Sequence, residues 1–126
     1  MYMKGFIFAF AFMLFSMSAM AQEQQAVVSD VDDYAIVKDE VVEGIRYVVA
    51  TPSAKVCSKQ IDIEIKDGII QKVVYTRGCE GNAKGIGALI KDMSVEEAIR
   101  RLEGINCGKR GTSCPDQLAK VLKALK

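Results

Sequence analysis

The stretch "QIDIEIKDGIIQKVVYT", residues 60–76, decides the fold. Ile61, Ile63 and Ile65 alternate with Asp62, Glu64 and Lys66, the period of two that a strand with one buried face requires. Asp67-Gly68 interrupts the alternation with a pair that accepts the positive backbone angles of a tight turn, so Ile69–Thr76 returns as the second strand of a hairpin. Upstream, "IRYVVAT", beginning at Ile45, is rich in β-branched and aromatic residues and stops at Pro52, which makes it another strand.

Downstream the period changes from two to that of a helix. "NAKGIGALIKD" places Ile86, Leu89 and Ile90 at helical spacing, with Gly85 and Gly87 each weakening the helix by about 1 kcal/mol relative to alanine, unless a glycine serves close backbone packing. Ser94 opens a second helix and Glu97, three residues later, completes the pattern of a capping box; Val95, Ala98, Ile99 and Leu102 form its apolar stripe, and Gly104 stops it. In the third, Leu118, Val121, Leu122 and Leu125 fall at i, i+3, i+4 and i+7, while Lys120, Lys123 and Lys126 suit the negative end of the helix dipole. These stripes read as core packing, which leaves function to the connections.

The N-terminus has the pattern of an export leader. Lys4 precedes an apolar run from Gly5 to Phe15, and Ala19-Met20-Ala21 supplies the small-x-small site that a signal peptidase needs, so cleavage is expected after Ala21. The run is too short for an ordinary membrane span, and cleavage would leave no membrane association. An exported chain enters an oxidising compartment, periplasmic or extracellular. Residues 22–43 carry seven acidic residues and one lysine, and the polar Gln22–Asp33 has too little apolar surface to hold itself folded, so an acidic tether is expected there. Residues 44–126 carry fifteen basic and nine acidic residues, but interspersed, as on a solvated surface, and they make no case for nucleic acid binding.

With 126 residues the chain is long enough for one small domain and too short for a large catalytic barrel. Its chemistry lies in four cysteines, Cys57, Cys79, Cys107 and Cys114, each in a connection or at the end of an element. There is no histidine, so a cysteine nucleophile lacks its familiar base, and the C-x-x-C of a disulfide oxidoreductase is absent. No P-loop or dinucleotide fingerprint occurs, and "GCEGNAKGIG" does not meet the phosphate-loop spacing. Two readings of the thiols follow. In an exported chain they pair as disulfides, with three possible connectivities. Alternatively they act as four thiolate ligands for zinc or an iron–sulfur cluster, although intervals of 21, 27 and 6 residues lack a zinc knuckle. Cys114, and Cys79 ahead of the first helix, stand at helix N-termini, where the partial positive charge favours the thiolate.

The run from residue 57 to 125 resembles the TSCPD domain family through Thr112-Ser113-Cys114-Pro115-Asp116 and its preceding "CGKRG", with "VCSKQIDIEI" and "GCEGNAKGI" also matching its small four-cysteine branch. Larger members of that family are C-terminal regions of adenosylcobalamin-dependent ribonucleotide reductases. The resemblance therefore carries the label ribonucleoside-diphosphate reductase, with its associations of oxidoreductase, nucleotide binding and DNA precursor synthesis. The reductase's radical-bearing barrel has no counterpart here, and none of its catalytic residues transfers. More distantly, the order of hairpin, Gly78-Cys79, helix, "MSVEEA" and a helix-opening cysteine is similar to the U-type iron–sulfur assembly scaffold. That similarity implies convergence of Cys57, Cys79 and Cys114 on a metal, with Cys107 available as a fourth ligand. Lys59 stands where the scaffold has an aspartate, and no histidine precedes Cys114.

The sequence thus leads to an α+β domain, a small antiparallel sheet with a β-hairpin followed by three helices and four cysteines at one end. Its divisions are a signal peptide over 1–21, an acidic tether over 22–43 and a TSCPD-like domain over 44–126. The expected function is that of a metal- or cluster-binding accessory module acting with a protein partner; the alternative is an exported interaction domain with structural disulfides and no metal.

Overall fold

A five-stranded antiparallel meander is covered on one face by three helices in the structure, a computed structural model that describes residues 28–29 and 33–126. The leader expected over residues 1–21 lies outside the described residues. The strands β1 (Val28–Ser29), β2 (Tyr34–Val42), β3 (Ile45–Pro52), β4 (Gln60–Lys66) and β5 (Ile69–Thr76) pair strictly in chain order. Helices α1 (Glu80–Ile90), α2 (Val95–Leu102) and α3 (Cys114–Ala124) follow. The expected α+β architecture is borne out.

Alternation does what residues 60–76 require of it. Ile61, Ile63 and Ile65 of β4 turn to the helix side, where Ile63 stands between Val48 of β3 and Val73 of β5, and Ile61 opposite Ala50. Asp67 and Gly68 both take positive φ, +51° and +73°, which closes the hairpin in two residues. Leu118, Val121 and Leu122 of α3, Ala98 and Ile99 of α2 and Ile90 of α1 complete the core. Ser94 caps α2 as expected, its Oγ accepting from the Glu97 N–H at 3.2 Å; the Glu97 carboxylate itself turns to Arg100 and Arg101.

Two expectations are corrected. Residues 34–43 belong to the domain and not to a tether: Tyr34–Val42 pairs with β3 along its whole length through a two-residue turn at Glu43-Gly44. Asp39 within the strand and Asp33 just ahead of it both have partners. Asp39 accepts two hydrogen bonds from Arg46, at 2.7 and 2.6 Å, and Arg46 also donates to the Leu125 carbonyl at the end of α3. Asp33 accepts from Gln117 at 2.6 Å and pairs with Lys120, so burial, which pushes its pKa up, is outweighed and the carboxyl titrates below its ordinary value of 3.8. The second correction is Leu89. It shares helical spacing with Ile86 and Ile90 but is 78% exposed, because α1 meets β5 along Gly87 and turns Leu89 away from the core.

Candidate functional site

Three connections bring the cysteines to a cavity of about 470 Å³ bounded by α1 and the start of α3. Cys57 sits in the β3–β4 connection, Cys79 is the N-cap residue of α1, Cys107 lies between α2 and α3, and Cys114 is the first residue of α3. All four line that cavity as free thiols, three of them exposed and Cys114 half-buried. As placed, they do not form a ligand set: among the described residues no three Cys, Asp or Glu side chains could together hold a metal ion.

Each connection is fastened by specific contacts. Gly78, at φ +98°, has the Cys57 Cβ and the Ser58 nitrogen 3.6 and 3.4 Å from where its own Cβ would be, so the Cys57 and Cys79 segments approach closely because no side chain separates them. The Lys59 N–H donates to the Thr76 carbonyl at 2.8 Å and closes the same junction. Between α2 and α3, the Cys107 N–H donates to the Thr112 carbonyl at 3.1 Å and the Arg110 N–H to the Cys107 carbonyl at 3.3 Å, which folds residues 107–112 into a compact loop.

The motif at 112–117 locks these connections to α3. Ser113 caps the helix, accepting from the Asp116 N–H at 3.2 Å while its hydroxyl donates to the Ile105 carbonyl at 2.6 Å. Pro115 occupies the first turn, where its missing N–H is no loss. Asp116 is buried and accepts from the Gly104 N–H at 2.7 Å and the Thr112 hydroxyl at 2.6 Å, so it ends the α2 connection as well as meeting the helix dipole. Gln117, fully buried, accepts from the Ser53 N–H at 2.8 Å and donates to Asp33 and Thr112.

Two contacts reach the sulfurs themselves. The Ser58 hydroxyl donates to Cys114 Sγ at 3.2 Å, and Arg110 Nη1 donates to Cys57 Sγ at 3.1 Å, across 53 residues of chain. Hydrogen bonding to Cys57, then the charges of Cys57, Cys107 and Cys114, push the Arg110 pKa up. Tyr75 donates to the Cys114 carbonyl at 3.2 Å, and burial, with the Cys114 charge adding, pushes its phenol up. Sequence reasoning missed Ser58, Tyr75, Arg110 and Gln117. For Arg110 a signal existed, a cation two residues from a glycine between Cys107 and Cys114; for the other three none did, since their roles depend on which distant strand lies beside them.

Fold and cavity together define a small α+β module that presents four free thiols from three connections to one hollow. The TSCPD domain profile matches residues 34–126, and the chain belongs to the TSCPD domain family. The match begins where β2 begins, ten residues ahead of the boundary expected at 44. No curated protein and no solved structure matches the chain.

Proposed function

We propose that this chain is an accessory module that binds zinc or an iron–sulfur cluster through Cys57, Cys79, Cys107 and Cys114 and works with a protein partner, in keeping with the reductase-associated members of its family. One observation carries the reading: four thiols from three connections line a single cavity, with no histidine in the chain to make any one a nucleophile. The donor chemistry fits a soft metal, since thiolates are its preferred ligands. As placed, the sulfurs do not stand as a ligand set. Binding therefore requires the exposed thiols Cys57, Cys79 and Cys107 to draw together toward Cys114, whose own segment is buried and hydrogen-bonded. A bound metal would supply a cross-link between these connections, and a cluster would add electron storage.

The residues have their own part in this. Ser58 donates to Cys114 Sγ and Arg110 to Cys57 Sγ, which fixes where these two sulfurs stand at the cavity. Tyr75 and the Ser113 cap fix the backbone on which Cys114 stands. A second reading is favoured by the leader-like N-terminus: the mature chain is exported and its cysteines pair as disulfides.

Intact mass under native and denaturing conditions, with metal analysis and alkylation, separates the two. Four alkylatable thiols with stoichiometric zinc or iron establish the metal reading. A mass lower by two protons per cysteine pair, with no metal, replaces it with the disulfide one. A mature N-terminus at Gln22 in protein recovered from the export compartment establishes the leader, and a retained Met1 in the cytosol refutes it.

A further inference from the structure

The cavity that holds the thiols is lined mainly by apolar surface, more than a bare metal ion would use. Ile86, Leu89, Ile105 and Pro115 form its apolar walls, and Leu89 and Ile105 remain 78% and 41% exposed. Exposed large apolar side chains grouped at a hollow mark a binding surface more often than an accident of folding. A volume of about 470 Å³ is that of a small-molecule site.

Its charge is one-sided. Arg77 and Arg110 line the cavity, and among the described residues no aspartate or glutamate does. Two acids adjoin lining residues in sequence: Glu80 lines the neighbouring groove and pairs with Lys84 at 2.6 Å, and Asp116 is buried against the Gly104 N–H and the Thr112 hydroxyl. Arg77 makes no hydrogen bond or ion pair among the described residues. It is also held at φ +63°, a region that a long side chain occupies only under constraint. The starts of α1 and α3, at Cys79 and Cys114, add their partial positive charge at the same cavity.

We propose that this cavity binds a small organic anion with an apolar body, its charged group at Arg77 and Arg110 and its body against Ile86, Leu89 and Ile105. This proposal does not rest on the metal reading: it uses the arginines and the apolar wall, although the two share the cavity and Arg110, which also donates to Cys57 Sγ.

The test uses the full chain, reduced and free of metal, with two probes of similar size: the anion 8-anilinonaphthalene-1-sulfonate and the neutral N-phenyl-1-naphthylamine. The anion is expected to bind at one site, at least about tenfold more tightly than the neutral probe. Changing both Arg77→Gln and Arg110→Gln brings the anion down to the neutral probe's affinity, and Leu89→Ser, at an exposed position the fold does not need, weakens both probes. Circular dichroism confirms that the variants are folded. No saturable binding, equal affinity for the two probes, or indifference to the arginine changes overturns the proposal. None of these outcomes bears on metal uptake, which is measured separately on the same protein.

Discussion

Gly85 and Gly87 lie two residues apart in α1 and respond to the same substitution in opposite directions. In a helix interior, Gly→Ala removes backbone freedom from the unfolded chain and stabilises by about 0.8–1 kcal/mol. At Gly85 a Cβ would meet nothing within 4 Å, so Gly85→Ala keeps the whole gain. At Gly87 the new Cβ would stand 2.7 Å from the Val73 carbonyl oxygen. A carbon and a carbonyl oxygen ordinarily stay about 3.3 Å apart or more, so a shift of about 0.6 Å is required. Val73 cannot supply it, because β5 is held by its pairing with Ile63 of β4, so α1 must move. Overpacking of this kind costs about 1–3 kcal/mol, which leaves Gly87→Ala destabilised by about 1 kcal/mol and separates the variants by about 2 kcal/mol. Both changes share the propensity gain, so the difference isolates the contact. Urea unfolding of the reduced chain measures it as a shift in midpoint at constant slope. If Gly87→Ala unfolds at the same urea concentration as Gly85→Ala, the close approach of α1 to β5 does not exist as described. A displaced α1 would also shift Cys79 and Ile86, so Gly87→Ala should weaken ligand binding in the cavity as well.

Three other expectations follow from side chains. Gln117→Leu removes an acceptor for the Ser53 N–H and donors to Asp33 and Thr112 at a fully buried position, and should destabilise the chain by about 2–3 kcal/mol in the same urea assay. Asp33 has a lowered folded pKa, so the stability it contributes is present above its ordinary value of 3.8 and is lost as pH falls through the folded value. Wild type and Asp33→Asn should therefore differ in melting temperature near neutral pH and converge in strong acid. If Cys57, Cys79, Cys107 and Cys114 are all ligands, changing any one to serine should weaken zinc or cobalt binding by at least about tenfold in a chelator competition, and a cysteine whose loss changes nothing is not a ligand.

The hairpin was legible because one face of it is buried and the other is not, so hydrophobicity itself carries the period. The helices were legible for similar reasons, through their stripes and, for α2, through Ser94 at its start. Strand β2 was not. Only Ile36 in it is deeply buried, and a register shift between Ile36 and Lys38 leaves Val37 exposed, which breaks the alternation that would have marked a strand. Its acids resembled those of a solvated tail; Asp39 is in fact paired with Arg46 on the next strand. The turn at Glu43-Gly44 was the available signal, two residues between two β-rich runs. In the site, the positions of the cysteines at element ends followed from the pattern. The donors to their sulfurs did not, since Ser58 reaches Cys114 only because the β3–β4 connection crosses the start of α3.

That crossing explains why the motif at 112–117 is more than a helix start. A cap alone needs one side-chain oxygen, and Ser113 provides it. Thr112, Asp116 and Gln117 do separate work: they bind the end of the α2 connection at Gly104, the β3–β4 connection at Ser53 and the chain entering β2 at Asp33. These contacts lie beneath Cys114 and between the connections that carry Cys57 and Cys107. Buried and hydrogen-bonded to one another, they resist change, while the thiols they support are exposed or half-exposed and carry little of the core. Stability and thiol chemistry therefore sit on adjacent atoms of one hexapeptide without sharing a side chain. The consequence is testable through the pair Cys114→Ser and Asp116→Asn: the first should leave the urea midpoint nearly unchanged, and the second should lower it, since it weakens a buried acceptor shared by Gly104 and Thr112. A Cys114→Ser chain as unstable as Asp116→Asn would show that the sulfur belongs to the scaffold.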